Sequence, residues 1–391
     1  MSAPLWARQG TWTNAGTPGF SEGAATYTSL VLNAAGTPYV AYKDDARGGK
    51  ASVMRLDGAN WSYVGTPGFS EGWAYFTSLA LDASGMPYVA YSDWDGGVGA
   101  SVMRFDGTNW VHVGIPGLSG GPAIYTSLVL DAAGTPYLAY TDQNNSYKAT
   151  VKRFDGVRWV NVGAPGFSEG WAYFVSLALD ASGTPYIAFQ DWGYDSKATV
   201  MRFDGMRWVS VGTLGFSPGE ASHLSLKLDA SRTPYVAYKD ETNGGKATVM
   251  KFDGRRWSPV GVPGFSEGQA DDTSLALDAA GTPYLAYTDY ANGLRATVMR
   301  FGGTDWVPVG TSGFSPGAVY FPSLALDASG IPYVAYRSSA SGDRASISML
   351  GPLITRPAVE MRTFLMVAGF IVTIIIVIVI MAYIGKRRLE S

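Results

Sequence analysis

Apolar and polar positions along the chain repeat in a unit of 49 residues that occurs seven times. Within each unit, four short runs rich in Val, Leu, Tyr, Phe and Thr alternate with connections rich in Gly, Pro and Asp. This pattern predicts short β-strands joined by tight turns. In the second copy the predicted strands are SLALD (78–82), PYVAY (87–91), ASVMRFD (100–106) and WVHVG (110–114).

Tryptophan marks the register of the repeat. It recurs without insertion or deletion at positions 12, 61, 110, 159, 208, 257 and 306. A period of this length is typical of solenoids and propellers. Four strands in each of seven units predict an all-β, seven-bladed β-propeller over residues 1–352. A parallel β-helix is the alternative architecture, although its coils are usually shorter and lack tight hairpins.

The two ends of the repeat array are incomplete in complementary ways. The last copy stops at RASISML (344–350) without a tryptophan strand, whereas GTWTNAG (10–16) is a tryptophan strand with nothing before it to pair with. We therefore expect the N-terminal strand to complete the last blade and to close the ring, which removes a free sheet edge. Pro259 and Pro308 indicate that this fourth strand is the outer edge of each blade.

Composition changes after the repeats. Residues 353–362 are predicted to be a short linker, and residues 363–385 carry no charge over 23 positions. About 20 apolar residues suffice to cross a bilayer as a helix, so we predict one transmembrane helix in contact with lipid. A basic tail follows at 386–391. The positive-inside bias then predicts a single-pass membrane protein with a cytoplasmic C-terminus and an extracytoplasmic propeller.

The N-terminus complicates this placement. The first residues, MSAPLWARQG, contain no basic segment followed by an apolar one, so no signal peptide is visible. Either a signal is missing from this sequence, or the protein is tail-anchored with a cytosolic propeller.

Few residues of the chain suit catalysis or metal binding. There is no cysteine, the only histidines are His112 and His223, and no P-loop, GxSxG or HExxH motif occurs. We predict no catalytic residue, no metal site and no cofactor, and interpret both histidines as incidental. Without residues 353–391 the chain has 24 Lys and Arg against 30 Asp and Glu, a balance that disfavours nucleic acid as a partner.

Large aromatic residues are concentrated in the connections of two copies. PGFSEGWAYF (67–76) recurs at 165–174, and both copies have an Asp-Trp pair in the facing loop. Exposed rings beside carboxylates suit sugars, whose C–H faces stack on the ring while hydroxyls bond to Asp. The predicted ligand-binding residues are Trp73, Tyr75, Asp93, Trp94, Trp171, Tyr173, Asp191 and Trp192. The alternative is that these tryptophans fill wedges between blades.

Two further sets of residues are expected to be structural. The residue just before the Thr or Val of the inner strand is assigned to the core; it is Tyr27, Phe76, Tyr125, Phe174 or Phe321 in five of the copies. An aspartate after the second strand is expected to start each loop by accepting backbone N–H groups. These aspartates are Asp44, Asp93, Asp142, Asp191, Asp240 and Asp289.

The run SLALDASGTPYIAF (176–189), followed by KATVMRFDG (197–205), resembles the NHL-type propeller repeat. It departs from that repeat in having Ala-Tyr or Ala-Phe where Ala-Asp is typical, in its tryptophan strand and in its longer PGFS loop. The unit also looks like repeat-amplified bacterial surface propellers and propeller lectins. These resemblances imply ligand binding through loops and no particular reaction.

Together these features predict a membrane-anchored, non-catalytic propeller on the cell surface that binds a glycan through one loop face. A protein–protein interaction scaffold, or an accessory subunit of a membrane complex, is the alternative. A hydrolase or lyase is the third hypothesis.

Overall fold

A computed structural model describes residues 10–93 and 99–351. They form 28 β-strands in seven antiparallel sheets of four strands each, so the predicted seven-bladed propeller is confirmed. The predicted linker, transmembrane helix and tail lie outside the described residues, as does Trp94. Within the described part of the chain, no helix is long and apolar enough to cross a membrane.

The strands occupy the same four positions in every blade. The inner strands are β2 (Ala25–Leu32), β6 (Ala74–Leu81), β10 (Ala123–Leu130), β14 (Ala172–Leu179), β18 (Ala221–Leu228), β22 (Ala270–Leu277) and β26 (Val319–Leu326). The second strands are β3 (Pro38–Asp44), β7 (Pro87–Asp93), β11 (Pro136–Asp142), β15 (Pro185–Asp191), β19 (Pro234–Asp240), β23 (Pro283–Asp289) and β27 (Pro332–Ser338). The third strands are β4 (Lys50–Asp57), β8 (Gly99–Phe105), β12 (Lys148–Phe154), β16 (Lys197–Phe203), β20 (Lys246–Phe252), β24 (Arg295–Phe301) and β28 (Arg344–Gly351). The outer strands are β1 (Thr11–Asn14), β5 (Asn60–Tyr63), β9 (Trp110–His112), β13 (Trp159–Asn161), β17 (Trp208–Ser210), β21 (Trp257–Pro259) and β25 (Trp306–Pro308).

We number the blades 1 to 7 in the order of their inner strands, β2 to β26. Among the described residues, a short 3-10 helix joins the second strand to the third in six blades; the corresponding connection of blade 2 is not described. These helices are Asp45–Arg47, Gln143–Asn145, Trp192–Tyr194, Glu241–Asn243, Tyr290–Asn292 and Ser339–Ser341.

The inner strand of blade 2 starts four residues earlier than predicted. Ala74 already pairs with Asp93, and a β-bulge between Tyr75 and Ser78 interrupts the ladder. Phe76 sits in this bulge with a φ of 53°. The bulge interrupts the alternation of side chains that sequence patterns rely on, so the pattern predicts a loop at Ala74–Phe76 where the structure has a strand.

The N-terminal strand closes the ring, as predicted. β1 pairs antiparallel with β28, with Trp12 opposite Leu350. The indole Nε1 of Trp12 donates to the carbonyl of Val309 in blade 6 at 2.8 Å. Blade 7 is therefore completed by the first strand of the chain, which pairs with the outer edge of β28.

Two rings of hydrogen bonds join successive blades. The indole of each repeat tryptophan donates to a backbone carbonyl of the preceding blade over 2.7 to 3.1 Å. On the inner strands, a serine hydroxyl of each blade accepts the backbone N–H of a leucine in the next blade at 2.9 to 3.0 Å. The serines are Ser29, Ser78, Ser127, Ser176, Ser225, Ser274 and Ser323. These bonds satisfy inner-edge donors that have no strand partner within the blade.

The core lies between neighbouring blades. Between blades 1 and 2, for example, Val53 of blade 1 packs with Val89 and Tyr91 of blade 2, all of them buried. Trp110 extends this layer outward and stacks on Phe69 of the PGFS connection with ring centroids 4.0 Å apart. The phenylalanine of that connection is therefore structural.

The ring has two faces of different character. The turns between first and second strands and between third and fourth strands form one side, which we call the turn face. The opposite side, the loop face, carries the connections between second and third strands and between blades. Because β28 is a third strand, it runs from the loop face to the turn face and ends there at Gly351.

Candidate ligand-binding face

Three of the predicted ligand-binding residues form a cluster on the loop face of blade 4. Trp171 lies in the connection before β14, Tyr173 lies in β14, and Trp192 begins a 3-10 helix. The ring centroids of Trp171 and Trp192 are 5.2 Å apart, and Tyr173 is 5.8 Å from Trp192. Trp171 and Trp192 are 43% and 50% exposed. We call this cluster of Trp171, Tyr173 and Trp192 the blade 4 platform.

Blade 2 repeats part of this arrangement. Trp73 is 47% exposed, and its ring centroid lies 6.3 Å from that of Tyr75 in an edge-on geometry. The ammonium of Lys43 lies 5.6 Å from the centroid of Tyr75. Trp94, the counterpart of Trp192, lies outside the described residues.

The two predicted carboxylates do not face solvent as the tryptophans do. Asp93 is buried, and Asp191 is 1% exposed. Oδ1 of Asp191 accepts the backbone N–H of Gly193 at 3.0 Å and so begins the 3-10 helix that carries Trp192. Burial raises the pKa of Asp191 despite this hydrogen bond. Asp191 therefore positions Trp192 and is not available to a ligand at the surface.

The same aspartate has this role in other blades, as predicted. Asp44, Asp142, Asp240 and Asp289 each accept a backbone N–H two residues further along. Ser338 replaces the aspartate in blade 7 and makes no such side-chain bond. These carboxylates are parts of the repeat and not of a ligand site.

The bulged positions of the seven inner strands surround a central pocket of about 250 Å³ on the loop face. Each bulged residue has a φ of 51° to 55°, a left-handed conformation that is uncommon outside glycine. In blade order they are Tyr27, Phe76, Tyr125, Phe174, His223, Asp272 and Phe321. We call this set the central ring. We expected its aromatic members to lie in the core; Tyr125 and Phe174 do pack against core clusters, but all five are only partly buried and line the pocket.

The aromatic members of the central ring overlap one another. Neighbouring centroids are 4.7 to 4.9 Å apart, and neighbouring planes are inclined by 34° to 50°. Rings lying edge to edge with their faces toward the axis would need a wider spacing. Neighbouring rings therefore overlap partly face to face.

His223 and Asp272 complete the central ring. The imidazole stacks against Phe174, and its Nδ1 lies 3.0 Å from Oδ1 of Asp272. The other carboxylate oxygen of Asp272 accepts the backbone N–H of Phe321 at 3.1 Å. The interpretation of His223 as incidental is therefore corrected, because its side chain is paired and lines the pocket.

A group of charged residues lies beside this pair on blades 5 and 6. The ammonium of Lys239 is 2.9 Å from Asp271 and 3.4 Å from Glu241, and the hydroxyl of Tyr290 donates to Asp271 at 2.7 Å. Burial raises the pKa of Asp271, but bonds from Lys239 and Tyr290 outweigh it and lower the pKa overall. The described part of the chain holds no group of three or more residues suited to a metal ion.

Both aromatic clusters lead into the central ring. Tyr173 of the blade 4 platform lies 5.8 Å from Tyr125, and Tyr75 of blade 2 lies 5.7 Å from Tyr27, between ring centroids. The exposed tryptophans and the central pocket are thus parts of one continuous surface.

The central ring could have been suspected from an irregularity in the repeat. Five copies have Tyr or Phe before the Thr, Val or Pro of the inner strand, whereas adjacent copies have His223 and Asp272. Two complementary polar residues at one repeat position of neighbouring blades indicate a contact. Without the closed ring, however, nothing in the sequence shows that all seven positions converge.

No family model and no curated protein matches the chain. In structure it is similar to an ulvan lyase of polysaccharide lyase family PL25, with 12% identity and a TM-score of 0.53 over 92% of this chain and 99% of the lyase. It is also similar to a protein of unknown function from Dyadobacter fermentans, with 12% identity and a TM-score of 0.51 over 88% and 99%. A lectin from Aleuria aurantia in complex with Fucα1-6GlcNAc is less similar, with 16% identity and a TM-score of 0.48 over 75% of this chain and 99% of the lectin.

Similarities at such low identity show the fold alone. The resemblance to the NHL-type repeat gains no support from them and stays a prediction. Structure and comparisons together show that the chain is an all-β propeller, with seven blades of one repeated unit.

Proposed function

We propose that this protein is a membrane-anchored propeller that binds a surface glycan, without catalysis, through the aromatic residues of its loop face. The observation that carries the proposal is the blade 4 platform, in which two tryptophans 5.2 Å apart are each about half exposed. Exposed tryptophans at such density are unusual, because burying an indole is favourable.

The platform suits a sugar for physical reasons. A sugar ring has an apolar C–H face that packs on an indole, and its hydroxyls stay at the wet rim of the contact. The three rings of the platform are inclined to one another, so they do not form one flat surface. The carboxylates that we expected to accept sugar hydroxyls are buried, so that role passes to groups of the central ring.

The membrane anchor rests on residues 363–385, whose composition predicts a span. The described chain ends at Gly351 on the turn face.

A binding experiment with full-length protein tests the proposal. The chain is purified in a detergent without a sugar head group and applied to a broad glycan array, and the affinity for the strongest ligand is measured by calorimetry. Trp192→Ala is expected to weaken binding about tenfold, which corresponds to about 1.4 kcal/mol.

Tyr290→Ala is the matched control, because Tyr290 begins the equivalent 3-10 helix of blade 6 and is 46% exposed. It lies outside the platform, so its loss should leave the affinity within about twofold of wild type. The proposal is wrong if no glycan binds, or if Trp192→Ala in a folded protein binds as wild type does.

A hydrolase or lyase is the second candidate, and the His223–Asp272 pair is the observation in its favour. An imidazole oriented by a carboxylate is a common general base. Incubation with the glycans that bind, followed by chromatography of the products, tests it. Cleavage that is lost in Asp272→Asn would establish an enzyme.

A further inference from the structure

We infer that the central pocket is a second binding site on the loop face and that it takes one neutral, hydroxyl-rich ring, such as the terminal unit of a glycan. The inference relies on the proposed function for the class of ligand. Its binding residues, the central ring, are separate from the tryptophans of the platforms, so the two can be tested apart.

The size of the pocket limits the ligand to about one sugar ring. Its volume of about 250 Å³ is below the range of about 300–1,000 Å³ that encloses drug-sized ligands. The pocket opens on the loop face beside Tyr75 and Tyr173, so the rest of a longer glycan could continue onto either aromatic cluster.

The walls of the pocket disfavour an organic cation. Cation recognition by an aromatic cage requires ring faces directed at the ligand, whereas neighbouring rings of the central ring partly cover one another's faces. The one carboxylate of the pocket is also paired already, with Nδ1 of His223 and with the backbone N–H of Phe321.

The polar groups of the pocket disfavour an anion. Among the described residues that line it, none is Lys or Arg, and Asp272 contributes a carboxylate. Tyr27 and Tyr125 add phenolic hydroxyls. Burial raises the pKa of Tyr27, and electrostatic interaction with Tyr75 and Asp272 raises it further, so this phenol keeps its proton. A uronate or sulfate would find no Lys or Arg to pair with and would be repelled by the carboxylate of Asp272.

The same groups can bind hydroxyls. Nδ1 of His223 is directed to Asp272, which leaves Nε2 as the ring nitrogen for a ligand. Phenolic hydroxyls both donate and accept, as sugar hydroxyls do. Aromatic walls with a few convergent polar groups are typical of sites for small ligands.

The pocket is also held in shape by the blades. The hydroxyl of Thr28 donates to the carbonyl of Phe321 at 2.5 Å, and those of Thr77, Thr126 and Thr273 bond in the same way to the ring residue of the preceding blade. A preformed site loses little entropy when it binds.

The central-ring position varies among the seven blades more than the serine that follows it in the inner strand. All seven copies have serine two residues after the central ring, where it bonds the next blade. At the ring position the copies differ, with three Phe, two Tyr, one His and one Asp. The fold therefore accepts several side chains here, and their identity is free to serve a ligand.

The test uses saturation-transfer NMR on the full-length chain in detergent, with methyl glucoside, methyl galactoside, methyl mannoside and methyl glucuronoside as probes. The pocket variants are His223→Phe and Tyr125→Phe. Phe occupies the ring position of blades 2, 4 and 7 at the same φ, so both variants should fold. Tyr88→Phe, which removes a phenol at the turn-face end of β7, is the matched control.

We expect at least one neutral glycoside to bind better than the glucuronoside. Each pocket variant should weaken that binding about five- to tenfold, the loss of about one hydrogen bond, whereas Tyr88→Phe should not change it. Trp192→Ala should leave monosaccharide binding unchanged even where it weakens the longer array glycan.

Other outcomes overturn the inference. The inference is wrong if no probe binds, if the glucuronoside binds as well as the neutral glycosides, or if both folded pocket variants keep wild-type affinity. In the last case the proposed function would still be supported if Trp192→Ala weakens binding of the array glycan. Loss of monosaccharide binding in Trp192→Ala, with the pocket variants unaffected, would place the sugar on the platform alone. If a monosaccharide binds and the pocket variants weaken it, but no glycan on the array binds, the platform is not a glycan site and the pocket is.

Discussion

Closure of the ring by the N-terminal strand makes a quantitative prediction about Trp12. Its indole donates to the carbonyl of Val309 at 2.8 Å and stacks on Phe314 with centroids 3.9 Å apart. In the middle of the array, Trp208 makes the same two contacts, to the carbonyl of Val162 at 2.7 Å and to Phe167. If the ring is closed, the two tryptophans have equivalent structural roles.

Phenylalanine keeps the stacked ring but removes the indole N–H. The lost hydrogen bond costs about 1 kcal/mol, and the apolar area lost with the smaller ring costs about another 1 kcal/mol. Trp12→Phe and Trp208→Phe should therefore each lower the free energy of unfolding by about 2 kcal/mol. Urea unfolding of the full-length chain in detergent, followed by far-UV circular dichroism, measures both.

The comparison between the two variants decides the question. Suppose that Trp208→Phe lowers the free energy of unfolding as expected but Trp12→Phe lowers it by less than about 0.5 kcal/mol, the size of an ordinary surface substitution. That result would mean that β1 is not held on β28 in solution. Closure by the first strand would then be refuted, although the blades could still stand. Near-equal losses would support a ring whose last blade is as firmly built as the others.

Three further predictions test the repeat itself. Arg232 has a φ of 67° where the other copies have glycine, so Arg232→Gly should stabilise the protein by about 1 kcal/mol. Its ion pair with Asp180 contributes little, because the two charged groups are 3.7 Å apart and the arginine side chain is 58% exposed. A lower urea midpoint would contradict this. Thr77→Val removes the hydroxyl that donates to the carbonyl of Tyr27 and should lower the free energy of unfolding, measured by thermal unfolding, by about 1 kcal/mol. Valine fits at this position, because Val175 occupies it in blade 4. No loss of stability would show that the hydrogen bond contributes nothing. Backbone N–H groups lower the pKa of four turn aspartates in the folded protein below the unfolded value of about 3.9. The ionised carboxylates therefore stabilise the fold at any pH above about 3.9, and this stabilisation disappears as the pH falls through the lower pKa of the folded state. These aspartates are Asp106, Asp155, Asp204 and Asp253. When the urea midpoint is measured against pH, replacing all four by Asn should reduce the fall in the midpoint at acid pH. An unchanged fall would show that other groups cause the loss of stability in acid.

The platform was partly predictable from sequence. Trp73, Trp171 and Trp192 are exposed on one face, as the hypothesis of a ligand site requires. The role expected for Asp93 and Asp191 did not follow, because an aspartate at the end of a strand can serve either a ligand or the loop that begins there. Only the position of neighbouring N–H groups, such as that of Gly193, decides between the two.

Sequence alone determined the architecture of this protein. A period that never slips, strand-like runs bounded by turn residues, and an unpaired tryptophan strand at the beginning all depend on local chemistry and on counting. They suffice for seven blades and for closure of the ring.

Tertiary structure decided the character of the central pocket. Its seven residues are 49 positions apart along the chain and meet only after the ring has closed, and each lies in a bulge that reverses the side-chain alternation on which sequence patterns rely. The pairing of His223 with Asp272 and the overlap of five aromatic rings arise from that convergence. Local preference specifies a strand, but the surroundings of its bulged residue come from six other blades.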